Sequence, residues 1–436
     1  MPVASRIGSL ALGNSSNTDG RVLVNPFLKK HNMSRINAQR LMADLRSLAE
    51  FGKFGTGVDR ISFSPSDLEA RGWLLSRMKE AGLDAEIDCV GNVRGITKNS
   101  SRAVVIGSHT DSVPKGGWLD GAMGVIYGLE IARSRLESRR AARLGVDVVS
   151  FQDEEGSYFP CLGSRSFCNE LTDEDYGRTR AATGESIREA ISRAGYSGAP
   201  WRLDRARHLA FLEAHIEQGP RLEAQQSRIG VVTGIVGIRR LKISSAGQAD
   251  HAGTTPMTMR KDAVRPLLEL GNRVHTDFPK MASADTVWNI GSLIIQPGAA
   301  NVVPSGAEMI IEWRDTSVEK LDQIESALMN WISELNKQSG VAVSSTPIAR
   351  IRPTLMAGEL QDAIEAAART EHAPLMRMPS GAGHDAMVVG HHLPAGMIFI
   401  PSIGGRSHDI VEDTSESDIV LGCEVMASVV ERLEAV

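Results

Sequence analysis

Four stretches of this sequence end an apolar run with side chains that can hold a metal or move a proton. His109 and Asp111 follow Ala103-Val104-Val105-Ile106, and a loop with two glycines then presents Asp120. Two apart in an extended segment, His109 and Asp111 project to the same side. Val146-Asp147-Val148-Val149-Ser150-Phe151 runs into Asp153-Glu154-Glu155, whose neighbours point opposite ways and can do different jobs. An apolar run from Leu209 leads to His215, with Gln218 just ahead of a Gly219-Pro220 break. Met397-Ile398-Phe399-Ile400 leads through Gly404-Gly405 to His408.

Each cluster alone has a plainer reading. Asp120 could cap a helix that starts at Gly121. A lone histidine after a strand is commonly structural, and a row of acids is commonly a solvated edge. Behind a buried strand and close to Asp120, however, those acids would repel one another unless a cation lay among them. In open α/β sheets ligands bind beyond the carboxyl ends of the strands, so His109, Asp120, Glu154, Glu155, His215 and His408 can converge despite their separation in sequence. Imidazoles with carboxylates suit zinc or manganese and not calcium. One aspartate can bridge two such ions about 3.5 Å apart.

The elements that must carry these groups follow from the pattern. Ser34 precedes an amphipathic stretch through Leu41, Leu45 and Leu48, and Ser64-Pro65 opens a helix containing Trp73, Leu74 and Met78. Residues 84–90 alternate as a strand, while 103–106 and 146–151 are continuous runs, as in strands covered on both faces. The expected fold is α/β: a mixed-sheet catalytic domain, 34–227 and 354–436, with helices on both faces. From 228 the character changes. A half-exposed strand from Gly237, a helix with Pro256 near its first position, strands 286–295 and 308–314, a helix 318–335 and a strand 341–351 give a β-α-β-β-α-β order. That is an inserted α+β ferredoxin-like domain over 228–353. After Pro353 come a helix at 359–371, the strand 397–400 and a last helix at 415–433. Residues 1–33, rich in Gly, Ser and Asn, read as a loose leader.

Composition bounds the partners. A chain of 436 residues implies two domains or a large insertion, and 23% charged with 42% hydrophobic residues is ordinary for a globular protein. A net charge of -5 with no Lys/Arg-rich stripe argues against nucleic acid. No apolar run approaches the roughly 18 residues of a membrane span, and no basic-then-apolar leader opens the chain, so a cytoplasmic protein is expected. Cys89, Cys161, Cys168 and Cys423 are too scattered for a disulfide framework.

The motifs also resemble a family. Gly107-Ser108-His109-Thr110-Asp111, Gly116-Gly117-Trp118-Leu119-Asp120-Gly121, Glu154-Glu155-Gly156, His215-Ile216-Glu217-Gln218-Gly219-Pro220, Asp250-His251-Ala252-Gly253-Thr254-Thr255-Pro256-Met257 and Ser407-His408 are similar, in order, to the amidohydrolase branch of the M20 metallopeptidase clan. That branch contains N-carbamoyl-L-amino-acid hydrolase, allantoate amidohydrolase and β-ureidopropionase. The resemblance implies two divalent ions per subunit, zinc or manganese with cobalt or nickel as alternatives. His109, Asp120 and His215 would hold one, and Asp120, Glu155 and His408 the other, with Asp111 orienting His109.

Glu154 would be the general base for a metal-bridging water that attacks a ureido carbonyl, and His251 would donate to the developing oxyanion. Asn301 and Arg314 would grip the substrate carboxylate, and Gln218, His384 and Gly405 would complete the pocket. On residue chemistry alone, Arg314 beside Asp315 could be a surface ion pair, His384 could cap the next helix, and Asn301 suits a turn. The family further implies a homodimer through the inserted domain, acting on a small ureido acid. Allantoate is the alternative substrate. A clan-related exopeptidase is disfavoured by the HIEQGP and HAGTTPM segments occurring together, and a silent binding protein by the intact Glu154. One departure is Tyr158, where many members carry a basic residue after Glu-Glu-Gly-Ser.

Overall fold

In a computed structural model that describes residues 35–138 and 143–435, the apolar runs become the middle of a nine-stranded sheet. Its centre is four parallel strands, in the order Ala395–Ile400, His208–Ile216, Ala103–His109, Gly145–Phe151. Val93–Ile96 and Asp84–Ile87 extend one side antiparallel. Ile229–Ile235 extends the other, pairing antiparallel with Ala395–Ile400 and with Thr354–Leu355, and parallel with Leu375–Ser380.

Alternate strand residues serve two cores, which explains the continuous apolar runs. Val104, Ile106, Val146, Val148, Leu212 and Ile398 pack with Leu41, Leu74, Val125, Ile364 and Val429 of helices Ala38–Ala49, Pro65–Glu80, Ala122–Glu137, Gly358–Thr370 and Glu416–Ala435. Val105, Val149, Phe211, Met397 and Phe399 face the opposite way, onto Cys161, Phe167, Leu222 and the segment 386–389. The helices therefore cover both faces, as expected. Among the described residues no helix is long and apolar enough to cross a membrane.

The second sheet has four antiparallel strands in the order Val287–Gln296, Gly306–Asp315, Gly237–Ala246, Ala342–Ile351. In chain order that is 2-3-1-4, the split β-α-β-β-α-β arrangement, with Leu267, Leu270, Phe278, Leu321 and Leu328 of helices Val264–Met281 and Val318–Gln338 packed on one face. The other face is polar: Arg240 pairs with Glu312, and Lys242 with Glu308.

Several expectations change. Ile229–Ile235 belongs to the large sheet and not to the insertion, whose sheet begins at Gly237 rather than at 228. Its near-continuous burial is that of a covered strand, so the change of character comes nine residues later. Gly237 stands against Pro353, where the chain leaves and re-enters the large sheet; a Cβ on Gly237 would come within 2.6 Å of Pro353 Cδ. Pro256 precedes only a 3₁₀ turn, Met257–Met259, and the α-helix starts at Val264. Helix Ala38–Ala49 is capped by the Asn37 side chain, which accepts from Arg40 N. The expected leader, 1–33, and Ser34 lie outside the described residues.

Candidate active site

Parallel pairing puts the carboxyl ends of all four central strands at one edge of the sheet, so His109, the loop after Phe151, His215 with Gln218, and the loop after Ile400 emerge side by side. Asp120 lies at the centre of what they form. Its Oδ1 stands 2.8 Å from His215 Nε2 and 3.7 Å from His109 Nε2. Its Oδ2 faces His408 Nε2 at 3.4 Å and accepts from Gln218 Nε2 at 3.0 Å. Asp120 does not cap the following helix. That position belongs to Gly121, without a side-chain bond.

Both inner imidazoles are fixed through Nδ1, which meets the carbonyl of Asp111 at 2.9 Å in His109 and that of Ile216 at 2.8 Å in His215. Donation from Nδ1 turns Nε2, the metal-binding nitrogen of a neutral ring, toward Asp120. Asp111 thus orients His109 through its backbone. Its carboxylate is farther off, at 3.9 Å, and accepts from Glu155 N at 3.3 Å. Glu154 Oε2 lies 3.6 Å from His109 Nε2, and Glu155 Oε2 lies 3.8 Å from His408 Nε2.

These atoms form three sets whose donors lie within 4.8 Å of one another: His109, Asp120 and His215; Asp120, Glu155 and His408; and His109, Glu154 and Glu155. The donor types fit a borderline divalent ion. The charge balance fits one too. Asp111 Oδ1 and Glu155 Oε1 are buried and, among the described residues, have no hydrogen-bond partner. Burial, then Glu155, Asp385, Asp120 and Asp111, pushes the Glu154 carboxyl well above its ordinary range. Burial, then Asp120 and Asp111, pushes Glu155 up to about 9. Burial draws His215 down, but Asp120 outweighs it and carries the ring up to about 9. Acids raised this far and an imidazole holding a proton against Asp120 mark a site short of positive charge, which a divalent ion supplies.

The backbone here is strained where non-glycine residues take positive φ: Asp153 at 57°, Cys161 at 57°, Gln218 at 58° and His408 at 54°. Such conformations persist where the surroundings fix them, and they cluster at functional sites. Gly405, φ 65°, lies against Gly219 and Pro220, with no room for a Cβ.

Other expected residues are placed differently. His384 is buried with its ring 4.5 Å from that of His215, and its Nε2 meets Ser380 Oγ at 2.8 Å. Its side chain does not cap helix Asp385–Val389. Arg314 pairs with Glu312 at 2.7 Å rather than with Asp315, which Ser283 and Ser317 N engage. Its Nη1 also donates to Gly381 O at 2.8 Å, on the loop that leads to His384. His251 and Asn301 lie on adjoining segments of the insertion, where His251 pairs with Val302 and Ala252 N donates to Asn301 O at 3.0 Å. Among the described residues neither bonds to the acid–imidazole cluster. Gly253 N donates to His251 Nδ1 at 3.0 Å, which puts the proton of a neutral ring on Nε2.

The sequence reading missed the groups behind the site. Arg71 is fully buried, donating to Asp67 Oδ1 at 2.9 Å and to the carbonyls of Gly91 and Phe151 at 3.1 Å, with Asp111 Oδ1 at 3.6 Å. Arg60, also buried, donates to Thr110 O. Asp67 and Arg71 have the spacing of a surface helix pair, so nothing in the pattern marked them. Glu412 accepts from the backbone of Leu119 and Asp120. Glu213, on the same side of its strand as His215, accepts from Ser108 Oγ at 2.6 Å and Ala386 N at 2.8 Å.

Comparison with known proteins gives this geometry a context. A model of peptidase family M20/M25/M40 matches residues 105–432. An N-carbamoyl-L-amino-acid amidohydrolase of Paenarthrobacter aurescens is 34% identical over 412 residues, 92% of this chain and 99% of its own. An allantoate amidohydrolase of Bacillus subtilis is 31% identical, over 88% of this chain and 95% of its own. A crystal structure of an amidase of the hydantoinase/carbamoylase family from Burkholderia phymatum superposes with a TM-score of 0.86 at 44% identity, covering 92% of this chain and 98% of its own.

Proposed function

The chain belongs to peptidase family M20/M25/M40, in its amidohydrolase branch, and from that premise we propose that it hydrolyses the carbamoyl C–N bond of N-carbamoyl-L-amino acids. The observation that carries this reading is the two-sided contact of Asp120: one oxygen faces His109 and His215, and the other faces His408. A carboxylate so placed would be shared by two ions. His109, Asp120 and His215 would hold one, and Asp120, Glu155 and His408 the other, zinc or manganese being the first candidates and cobalt or nickel the next. When bound, the ions supply Lewis-acid polarisation of the ureido carbonyl and a lowered pKa for water in the site.

The chain's own groups do the rest. Glu154 stands with its Oε2 3.6 Å from His109 Nε2, beside the residues that would hold the ions. It accepts a proton from the attacking water and returns it to the leaving nitrogen. R–NH–CO–NH₂ and water thus give R–NH₂ and carbamic acid, which decomposes to carbon dioxide and ammonia. His251, with its proton on Nε2, is the donor toward the developing oxyanion. The Arg314 guanidinium and the Asn301 amide bind the substrate carboxylate, and Arg314 leaves the Gly381 carbonyl to do so. Gln218, His384 and Gly405 shape the pocket.

Allantoate, also a ureido acid, is the second reading, supported by the relatives that carry its name. Ammonia release from N-carbamoyl-L-amino acids, N-carbamoyl-β-alanine, allantoate and dipeptides, assayed with manganese, cobalt or zinc, tests both. Carbamoyl amino acids are expected to be cleaved fastest. Release from none of the ureido acids with any metal would refute the proposal.

The subunit is further proposed to pair with a second copy through strand Val287–Gln296. This strand is at the edge of its sheet and exposes Leu293, Ile294 and Ile295, with Ile294 53% exposed. A long apolar edge of this kind invites a second strand. Light scattering should give a dimer mass for the wild type and a monomer mass for Ile294→Lys; a monomeric wild type would end this idea.

A further inference from the structure

Glu412 lies outside every motif above, yet it is 1% exposed and joins two of them. Its Oε1 accepts from the backbone N–H of Asp120 at 3.0 Å and of Leu119 at 3.3 Å, almost 300 residues away in sequence. Its Oε2 accepts from Ser407 Oγ at 2.8 Å, next to His408. Glu412 N in turn donates to Asp409 O at 3.0 Å, so the segment 407–412 folds back on itself. Gly117 completes the seat: a Cβ there would fall on the Glu412 carboxyl group. The loop that delivers Asp120 is therefore shaped around this side chain.

The His408 side chain is half exposed, and its contacts are with Asp120, Glu155 and Gln218. Gln218 Nε2 lies 3.0 Å from Asp120 Oδ2 and 3.4 Å from His408 Nε2, and the Glu412 carboxyl group ties the chain on which His408 sits to the Asp120 loop.

We propose that Glu412 is a positioning residue that sets the spacing of Asp120 and His408, and with it the affinity of the ion these two residues share. This rests on the reading of Asp120, Glu155 and His408 as ligands. Groups that orient ligands in this way typically contribute about 10- to 100-fold in metal affinity.

The test is calorimetric titration of metal-free wild type, Glu412→Ala, Glu412→Gln and Ser407→Ala with Mn²⁺ and Co²⁺. The visible Co²⁺ spectrum and the urea midpoint of each metal-free protein are recorded alongside. Two binding events in the wild type support the underlying reading; none would end that reading whatever the variants do. Glu412→Ala should weaken the event that involves His408 by about 10- to 100-fold and alter the Co²⁺ bands, with a smaller effect on the other event, which shares Asp120. Ser407→Ala, which removes one of the three bonds, should weaken the same event by less. Glu412→Gln should restore binding, because its amide oxygen accepts from both N–H groups and its NH₂ donates to Ser407 Oγ. The proposal is overturned if Ser407→Ala and Glu412→Ala bind as the wild type does. It is overturned equally if Glu412→Gln is as damaging as Glu412→Ala, which would make the charge and not the bonding responsible. If Glu412→Ala does not fold, Ser407→Ala and Glu412→Gln decide by the same criteria.

Discussion

Gly121 offers a sharp test of how the site is built, because two independent features forbid a side chain there. Its backbone has φ 63° and ψ -47°, and Ala122 N donates to Asp120 O at 2.6 Å across it. This is a three-residue γ-turn of the positive-φ kind, rare and strained for any residue with a Cβ. The Cβ would also fall on the His109 imidazole, 2.5 Å from Cε1. In Gly121→Ala the backbone term should cost about 1–3 kcal/mol. Moving the ring also breaks the bond between His109 Nδ1 and Asp111 O, on the order of 1 kcal/mol. The expected loss is about 2–4 kcal/mol in urea unfolding of the metal-free protein, with metal affinity lower by about 10- to 100-fold. The two terms separate in a double-mutant cycle. In a His109→Ala background the ring is gone, so Gly121→Ala should retain only the backbone cost, leaving a coupling on the order of 1 kcal/mol. A Gly121→Ala protein with wild-type stability and metal affinity would refute the argument that this turn and this imidazole define each other.

Glu154→Gln should lower turnover by about 10²- to 10⁴-fold while metal content per subunit, measured on the desalted protein, stays constant; parallel loss of metal would make Glu154 a ligand, as the His109, Glu154, Glu155 grouping would allow. Arg71→Met removes the guanidinium bonded to buried Asp67 and facing Asp111, and should cost about 3–5 kcal/mol in urea unfolding, whereas a near-neutral result would mean that this buried pair contributes nothing net. Hydrogen bonds from Arg193 and then Tyr158 lower Glu185 from its ordinary 4.5 to about 2. A carboxyl depressed on folding stabilises above its unfolded pKa, so the urea-midpoint gap between wild type and Glu185→Gln should hold above pH 4.5 and narrow as the pH falls toward 2; a gap independent of pH would show that the ionised carboxylate is not what contributes.

What could be read from sequence, and what could not, divides along the range of the interactions. The strand runs at 103–106 and 146–151 and their terminal acids and imidazoles were legible because burial on both faces leaves an unbroken apolar signature. Parallel pairing then allows only one end for the chemistry. The order of the insertion was legible for a related reason, since its alternation has one covered and one open face. The boundary at 228 failed because Ile229–Ile235 is a covered strand joined to its own sheet by partners at 354–355, 375–380 and 395–400, and no local pattern encodes partners so far away. The same holds for Arg71 and Glu412. Their spacing reads as solvent-facing helix and loop, and their importance arises only when the fold brings backbone groups from distant segments to their charged ends. Tyr158 is the intermediate case. Visible in sequence as an aromatic in place of a basic residue, it takes its meaning from the structure, where its hydroxyl donates to Glu185 at 2.6 Å and its ring meets Phe63 edge-on. The side chain is thus taken up in the small core around Phe63, while its backbone N–H donates to Asp153 Oδ2 at 2.9 Å, one residue before Glu154.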